Sequence, residues 1–277
     1  MKAASANDFF DEIILALRGR EMDNPQEYIS KEVLLEFYRG VVRTQGGEPP
    51  RYSSPPVGGI RVSPSSTNGG IPPAPASVST IAPAGDLTFS SPEEMSWEEL
   101  EKSVSCCTKC VLCRERKNTV FGQGKHPCDL MFIGEGPGAD EDEQGLPFVG
   151  KAGELLTKMI LAMQFTREDV YIGNIVKCRP PGNRNPEEGE MEKCLPYIKR
   201  QIQLVSPKVI VLLGAVPLKA LFGISGITRN RGKFLDYNGI PAMPTYHPAF
   251  LLRNPAAKRE VWNDLQCVMK LLGKAPH

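Results

Sequence analysis

The run Asp129-Leu130-Met131-Phe132-Ile133-Gly134, continued by Glu135-Gly136-Pro137-Gly138, decides the fold. A short apolar run rich in branched and aromatic residues and closed by glycine reads as a strand. Three further runs of the same kind occupy 170–175, 208–214 and 242–246, each ended by Gly, Asn or Pro. Helical periodicity fills the gaps. Ala152, Leu155, Leu156, Met159, Ile160 and Met163 share one helix face, Met191, Cys194, Leu195, Ile198 and Ile202 a second, and Val261, Leu265, Val268 and Leu272 a third. Strands alternating with helices from residue 91 onward give an α/β domain with a mostly parallel sheet. Ligand sites in such sheets lie beyond the carboxyl ends of the strands. Those ends carry Gly134 onward, 174–178, and His247 onward.

Upstream the texture changes. Residues 46–86 hold 7 Gly, 9 Pro and 7 Ser, with no hydrophobic clustering to offset the entropy of ordering. The expected division is an N-terminal helical extension over 1–45, a disordered linker over 46–90 and the α/β domain over 91–277. Within the extension, Phe9, Phe10, Ile13, Ile14 and Leu17, and then Leu34, Leu35, Tyr38, Val41 and Val42, recur at helical spacing. Two short amphipathic helices follow, which either dock a protein partner or pack on the main domain. No apolar run approaches the length of a membrane span and no signal segment opens the chain, so the reading is cytoplasmic.

The net charge of +1 conceals a division. Residues 1–100 carry 8 basic and 14 acidic side chains, a balance of −6, and the remainder carries 25 and 18, a balance of +7. A basic globular part suits a polyanion such as DNA.

Eight cysteines in a reducing compartment point to metal rather than disulfides. Cys107 and Cys110 form a CxxC pair, with Cys178 and Cys194 far downstream. Four thiolates suit zinc or an iron-sulfur cluster, and spacing does not choose between them. Cys110 and Cys113 form a second CxxC, and Cys106 is adjacent, so the ligand set stays open at this level. Cys128 and Cys267 read as unligated.

The glycine loop after the first strand runs into Asp140, Glu141, Asp142 and Glu143, four carboxylates that would repel a phosphate, and lacks the nucleotide-binding glycine spacing. A nucleotide cofactor is disfavoured. In 145–150, Phe148 stands between two glycines, where an aromatic stacks on a base. His247, one of three histidines, opens His247-Pro248-Ala249-Phe250-Leu251-Leu252-Arg253, in which Leu251 and Leu252 read either as wedges for stacked bases or as core, beside the phosphate-binding cation Arg253.

As an ordered series over about 105–272, these motifs resemble the family 4 uracil-DNA glycosylases. The resemblance implies a three-layer αβα sandwich around a four-stranded, mostly parallel sheet, and a [4Fe-4S] cluster on Cys107, Cys110, Cys178 and Cys194. It implies that the chain flips uracil out of DNA and hydrolyses its glycosidic bond in base excision repair. By motif position, Phe148 stacks on uracil, Asn174 reads its amide edge, and backbone at Gly134, Glu135 and Gly136 meets the carbonyls. His247 donates to the uracil O2, and Glu135, with Asp142 as alternate, positions the water. Leu251, Leu252 and Arg253 fill or pinch the vacated space. The expected partner is uracil-containing DNA, with the protein associated with the bacterial nucleoid while acting. Ala249 departs from a serine common in relatives. The loop 180–186 has no histidine, unlike a related group that becomes covalently trapped on DNA, which favours turnover. The competing readings are a non-catalytic or trapping uracil- or single-strand-binding protein and an electron-transfer iron-sulfur protein.

Overall fold

Residues 9, 10 and 91–275 are described by the computed structural model. The linker and, apart from Phe9 and Phe10, the two expected N-terminal helices lie outside the described residues. The sheet has six strands: β1 (Gln123–Gly124), β2 (Leu130–Gly134), β3 (Tyr171–Asn174), β4 (Val209–Leu213), β5 (Leu235–Tyr237) and β6 (Ile240–Thr245). Their spatial order is β1-β3-β2-β4-β6-β5. The inner four, β3-β2-β4-β6, are the expected strands and are all parallel. The expected count of four is corrected to six by one antiparallel strand at each edge. β1 is two residues long and has no apolar pattern to announce it. β5 carried a legible signal, since Asn238-Gly239 joins it to β6 through a two-residue turn in which both residues have positive φ, 51° and 87°.

The helices are α1 (Trp97–Ser105), α2 (Ala139–Gln144), α3 (Lys151–Ala162), α4 (Glu188–Val205), α5 (Ala215–Phe222), α6 (Ile227–Asn230), α7 (Pro248–Arg253) and α8 (Lys258–Leu271). Every residue of β2 and β4 is buried, so successive side chains feed opposite cores. Met131, Ile133, Ile210 and Leu212 join Leu100 and Val104 of α1, Ile198 and Ile202 of α4, and Val216 and Leu218 of α5 in one core. Leu130, Phe132, Val209 and Val211 point the other way, toward the side where α8 meets β6. Helices therefore cover both faces, giving the three expected layers.

After β1 at one edge the chain crosses to β2 in the middle of the sheet, moves to β3, and returns through α4 to β4 on the other side of β2. That reversal opens a crevice beyond the carboxyl ends of β2 and β4, where open α/β sheets bind ligands.

The N-terminal segment contributes to this core. Phe10 is fully buried and meets the α8 residue Trp262 edge to face, with centroids 6.2 Å apart. Removing such a ring leaves a cavity as well as lost burial. Phe10→Ala is expected to destabilise the α/β domain by about 3 kcal/mol, read as a lower midpoint in denaturant. An unchanged midpoint would show that the N-terminal contact adds nothing to the domain.

Candidate active site

The crevice is a cleft of about 410 Å³ whose walls include Glu135, Gly136, Phe148, Asn174, His247 and Arg253. Residues far apart in sequence meet there because the parallel strands β3, β2 and β6 all end at the same edge of the sheet. Gly134, the last residue of β2, makes the close approach possible. A Cβ at this position would lie 2.5 Å from Asn174 Oδ1 and 2.6 Å from the Phe148 ring. Asn174 ends β3 and is 1% exposed, and its Oδ1 has no hydrogen-bond partner among the described residues. A buried amide oxygen in this state costs stability unless a ligand supplies a donor.

Phe148 is 6% exposed and has φ 53°, a left-handed conformation costing about 1–3 kcal/mol in a non-glycine residue. Its ring centroid lies 5.6 Å from that of His247, tilted by 31°. Behind it, Gly153 in the first turn of α3 leaves no room for a side chain, since a Cβ there would fall 1.9 Å from the Phe148 carbonyl oxygen.

His247 follows β6 and caps α7, its Nδ1 accepting the Ala249 N–H at 3.1 Å. With Nδ1 acting as acceptor, the proton of the neutral ring sits on Nε2. Burial, aided by the Arg253 charge, pulls the imidazole pKa down to about 4, so the ring is neutral at ordinary pH. The strand before it is held from behind, where Thr245 Oγ1 donates to Asp264 Oδ2 at 2.6 Å and Arg231 pairs with Asp264 at 2.7 Å. Glu135 faces the cleft with no ion-pair or side-chain hydrogen-bond partner among the described residues, and burial raises its pKa above the ordinary carboxylate value.

Three expected residues stand elsewhere. Asp142 is 3% exposed, with Oδ1 accepting the backbone N–H groups of Lys117 and Asn118 at 3.0 and 3.3 Å. It braces a loop and does not line the cleft. Leu251 is fully buried, which corrects the wedge expectation, because the inward face of α7 makes it core. Leu252 is half-buried and off the cleft wall, while Arg253 does line it. The sequence reading passed over Asn183 and Asn185, which line the cleft from the loop between Cys178 and Cys194. It also passed over Glu141, whose carboxylate turns to the backbone. The four-acid run is thus a short helix, and two of its carboxylates bond main-chain amides.

Cys107, Cys110, Cys113, Cys178 and Cys194 line a second, narrow cavity with Arg116, Lys177 and Tyr197. Cys106 is exposed and points its thiol at the Lys102 carbonyl, outside this set. No group of three or more donors among the described residues stands at the geometry of a single metal ion. A cuboid iron-sulfur cluster has a different requirement, with each thiolate reaching a separate iron around an enclosed space. The donor chemistry fits that group. Arg116 Nη1 already donates to Cys178 Sγ at 3.1 Å, and burial pushes the Cys194 thiol up to about 12, so ionisation there needs positive charge in the cavity. Lys177 lies between the two cavities, fully buried, donating to the Asn174 carbonyl at 2.9 Å and Gln201 Oε1 at 2.6 Å.

With this geometry in place, comparison with known proteins identifies the family. Residues 121–266 match the uracil DNA glycosylase superfamily. The type-4 uracil-DNA glycosylase of Sulfurisphaera tokodaii is 43% identical over 186 residues, covering 64% of this chain and 84% of that protein. That of Thermotoga maritima is 42% identical over 184 residues, covering 64% of this chain and 95% of that protein. The corresponding protein of Saccharolobus solfataricus is 44% identical over 180 residues, 61% of this chain and 83% of the relative. On these matches the chain belongs to the uracil-DNA glycosylase superfamily, among its type-4 members.

Proposed function

We propose that the chain excises uracil from DNA by hydrolysing the N-glycosidic bond, leaving an abasic site. The observation that carries this is the Oδ1 of buried Asn174, unpartnered among the described residues and set beside Phe148 in the cleft. Uracil flipped from the duplex presents an N3–H to that oxygen and its O4 to the amide nitrogen, while the Phe148 ring stacks on the base. Cytosine lacks the N3–H and places a donor against a donor, so the site rejects it by leaving buried groups unpaired.

As the bond between C1′ and N1 breaks, negative charge spreads to uracil O2 and positive charge to the sugar. The neutral His247 donates from Nε2 to O2, a bond that strengthens as the charge develops. Glu135 holds the attacking water and faces the sugar cation. The oxygen of the water adds to C1′, its proton passes to the carboxylate, and uracil departs. Asn183, which also lines the cleft and whose Oδ1 accepts from Arg179, offers its amide N–H to the same water. Arg253 and the basic surface grip phosphates.

In the second cavity Cys107, Cys110, Cys178 and Cys194 would hold a [4Fe-4S] cluster, which supplies iron–thiolate cross-links between segments distant in sequence. Arg116 and Lys177 set positive charge against its thiolates. The chain acts in the compartment that holds the DNA, where thiols stay reduced, and the N-terminal extension offers a surface for a protein partner.

The deciding experiment incubates the protein with a labelled oligonucleotide containing one uracil and then with alkali. Cleavage at uracil and none at thymine is expected. Tightly bound, uncleaved DNA would replace the enzyme by a binding protein, and a band stable in denaturant would mean covalent trapping. His247→Ala is expected to lower kcat by about 10²- to 10³-fold with little change in DNA affinity, and equal loss of both would remove its transition-state role. Because burial raises the pKa of Glu135, its carboxylate gains a proton at a pH where an ordinary carboxylate is still ionised. The acid limb of kcat/KM should therefore stand above the ordinary carboxylate range, while His247 stays neutral throughout it. Glu135→Gln should remove that limb, and its persistence would assign the base elsewhere. Cys178→Ser should lower the iron bound per chain and bleach visible absorption, whereas Cys113→Ser should leave both intact; the reverse would exchange the ligand.

A further inference from the structure

The turn that presents Phe148 to the cleft is gripped along both polar edges by half-buried charge. On one edge, the N–H groups of Val149 and Gly150 donate to Glu141 Oε1 at 2.9 and 3.1 Å, while Glu141 Oε2 accepts the Gly138 N–H at 3.0 Å. On the other, Arg167 donates from Nη2 to the Pro147 carbonyl at 2.9 Å and from Nη1 to the Phe148 carbonyl at 3.3 Å. Thr157 Oγ1 steadies the guanidinium at 3.2 Å. Arg167 makes no ion pair with a carboxylate among the described residues, so its charge is committed to the two carbonyls.

We propose that Glu141 and Arg167 are the positioning residues of Phe148, an anion on the amides and a cation on the carbonyls of the one turn that aims its ring at the base. The inference rests on the stacking role given to Phe148 above. Phe148 has φ 53°, and a chain free to relax would leave that conformation and carry the ring out of register with Asn174. Glu141 also lines the cleft, yet three amide donors occupy its oxygens, which excludes it as the base that takes a proton from water. Gly138 belongs to the glycine loop after β2, so the same carboxylate fixes the Phe148 turn to the strand end that meets uracil.

The test is a double-mutant cycle on the full chain. Glu141→Gln replaces one acceptor oxygen by an NH2 facing an N–H, and Arg167→Met keeps bulk without donors. Each is made alone and with Phe148→Ala, and each is read by kcat/KM on a single-uracil oligonucleotide and by the inhibition constant of free uracil. Each single variant is expected to lower kcat/KM about tenfold or more and to weaken uracil inhibition in parallel, but to change either by less than about twofold once Phe148 is alanine. Equal factors in both backgrounds, or none in either, would overturn the proposal. Should Phe148→Ala alone leave excision and uracil inhibition intact, the stacking role fails and the inference with it; should it impair them while the cycle stays additive, the inference alone fails. If Glu141→Gln does not fold by circular dichroism, Arg167→Met carries the cycle from the opposite edge. Failure of both to fold would make the pair a scaffold element and refute a role specific to Phe148.

Discussion

The close approach of Phe148 and Asn174 over the bare end of β2 is the constraint on which the cleft depends. A flat base needs a slot with a ring on one side and hydrogen-bonding groups at its rim. Here the slot is cut by the missing side chain of Gly134, since any Cβ would push into both residues at once. The strand order then does the rest. β3 brings Asn174 alongside Gly134 in parallel register, and β6, two strands away, delivers His247 to the far wall.

Burial turns this geometry into chemistry. Removing water lowers the His247 pKa and raises that of Glu135, which gives a neutral donor and a proton acceptor with a pKa closer to neutrality. An imidazolium facing O2 would supply more charge, but the desolvation cost beside Arg253 forbids it at ordinary pH. A neutral donor whose proton is fixed on Nε2 by the Ala249 N–H needs no reorganisation as uracil leaves.

The inner sheet and its helices were legible in the sequence because long-range order there reduces to local pattern. Apolar runs closed by Gly or Asn gave strands whose observed limits differ by one or two residues. Asn174, Phe148 and His247 were legible for the same reason, each standing at a strand end or beside glycine. Asp142 and Leu251 were misjudged because direction was not encoded locally. A carboxylate within four consecutive acids faces the cleft or a distant loop according to helix phase alone, and an α7 leucine is wedge or core by the same accident. Arg167 carried no signal, since the two carbonyls it grips lie 19 and 20 residues away and are main-chain atoms, which any residue type offers equally.

The segment from Asn174 to Cys178 ties the two cavities together, and Lys177 shows why they are not independent. An ammonium fully enclosed by protein is costly unless its hydrogens and its charge are both met. Two of its hydrogens are taken by the Asn174 carbonyl and by Gln201, whose amide in turn reaches the Phe121 carbonyl and the Tyr171 hydroxyl. Both partners are neutral, so the charge is met only from the other side, by the cysteine cavity that Lys177 also lines. Burial pulls the Lys177 pKa down to about 8. Anionic thiolates around bound iron would favour the ammonium and strengthen the hydrogen bond it makes to the backbone of the residue that reads the base. In the proposed roles, one lysine side chain separates the cluster site from the recognition residue, and what would stabilise the first would also hold the carbonyl of the second.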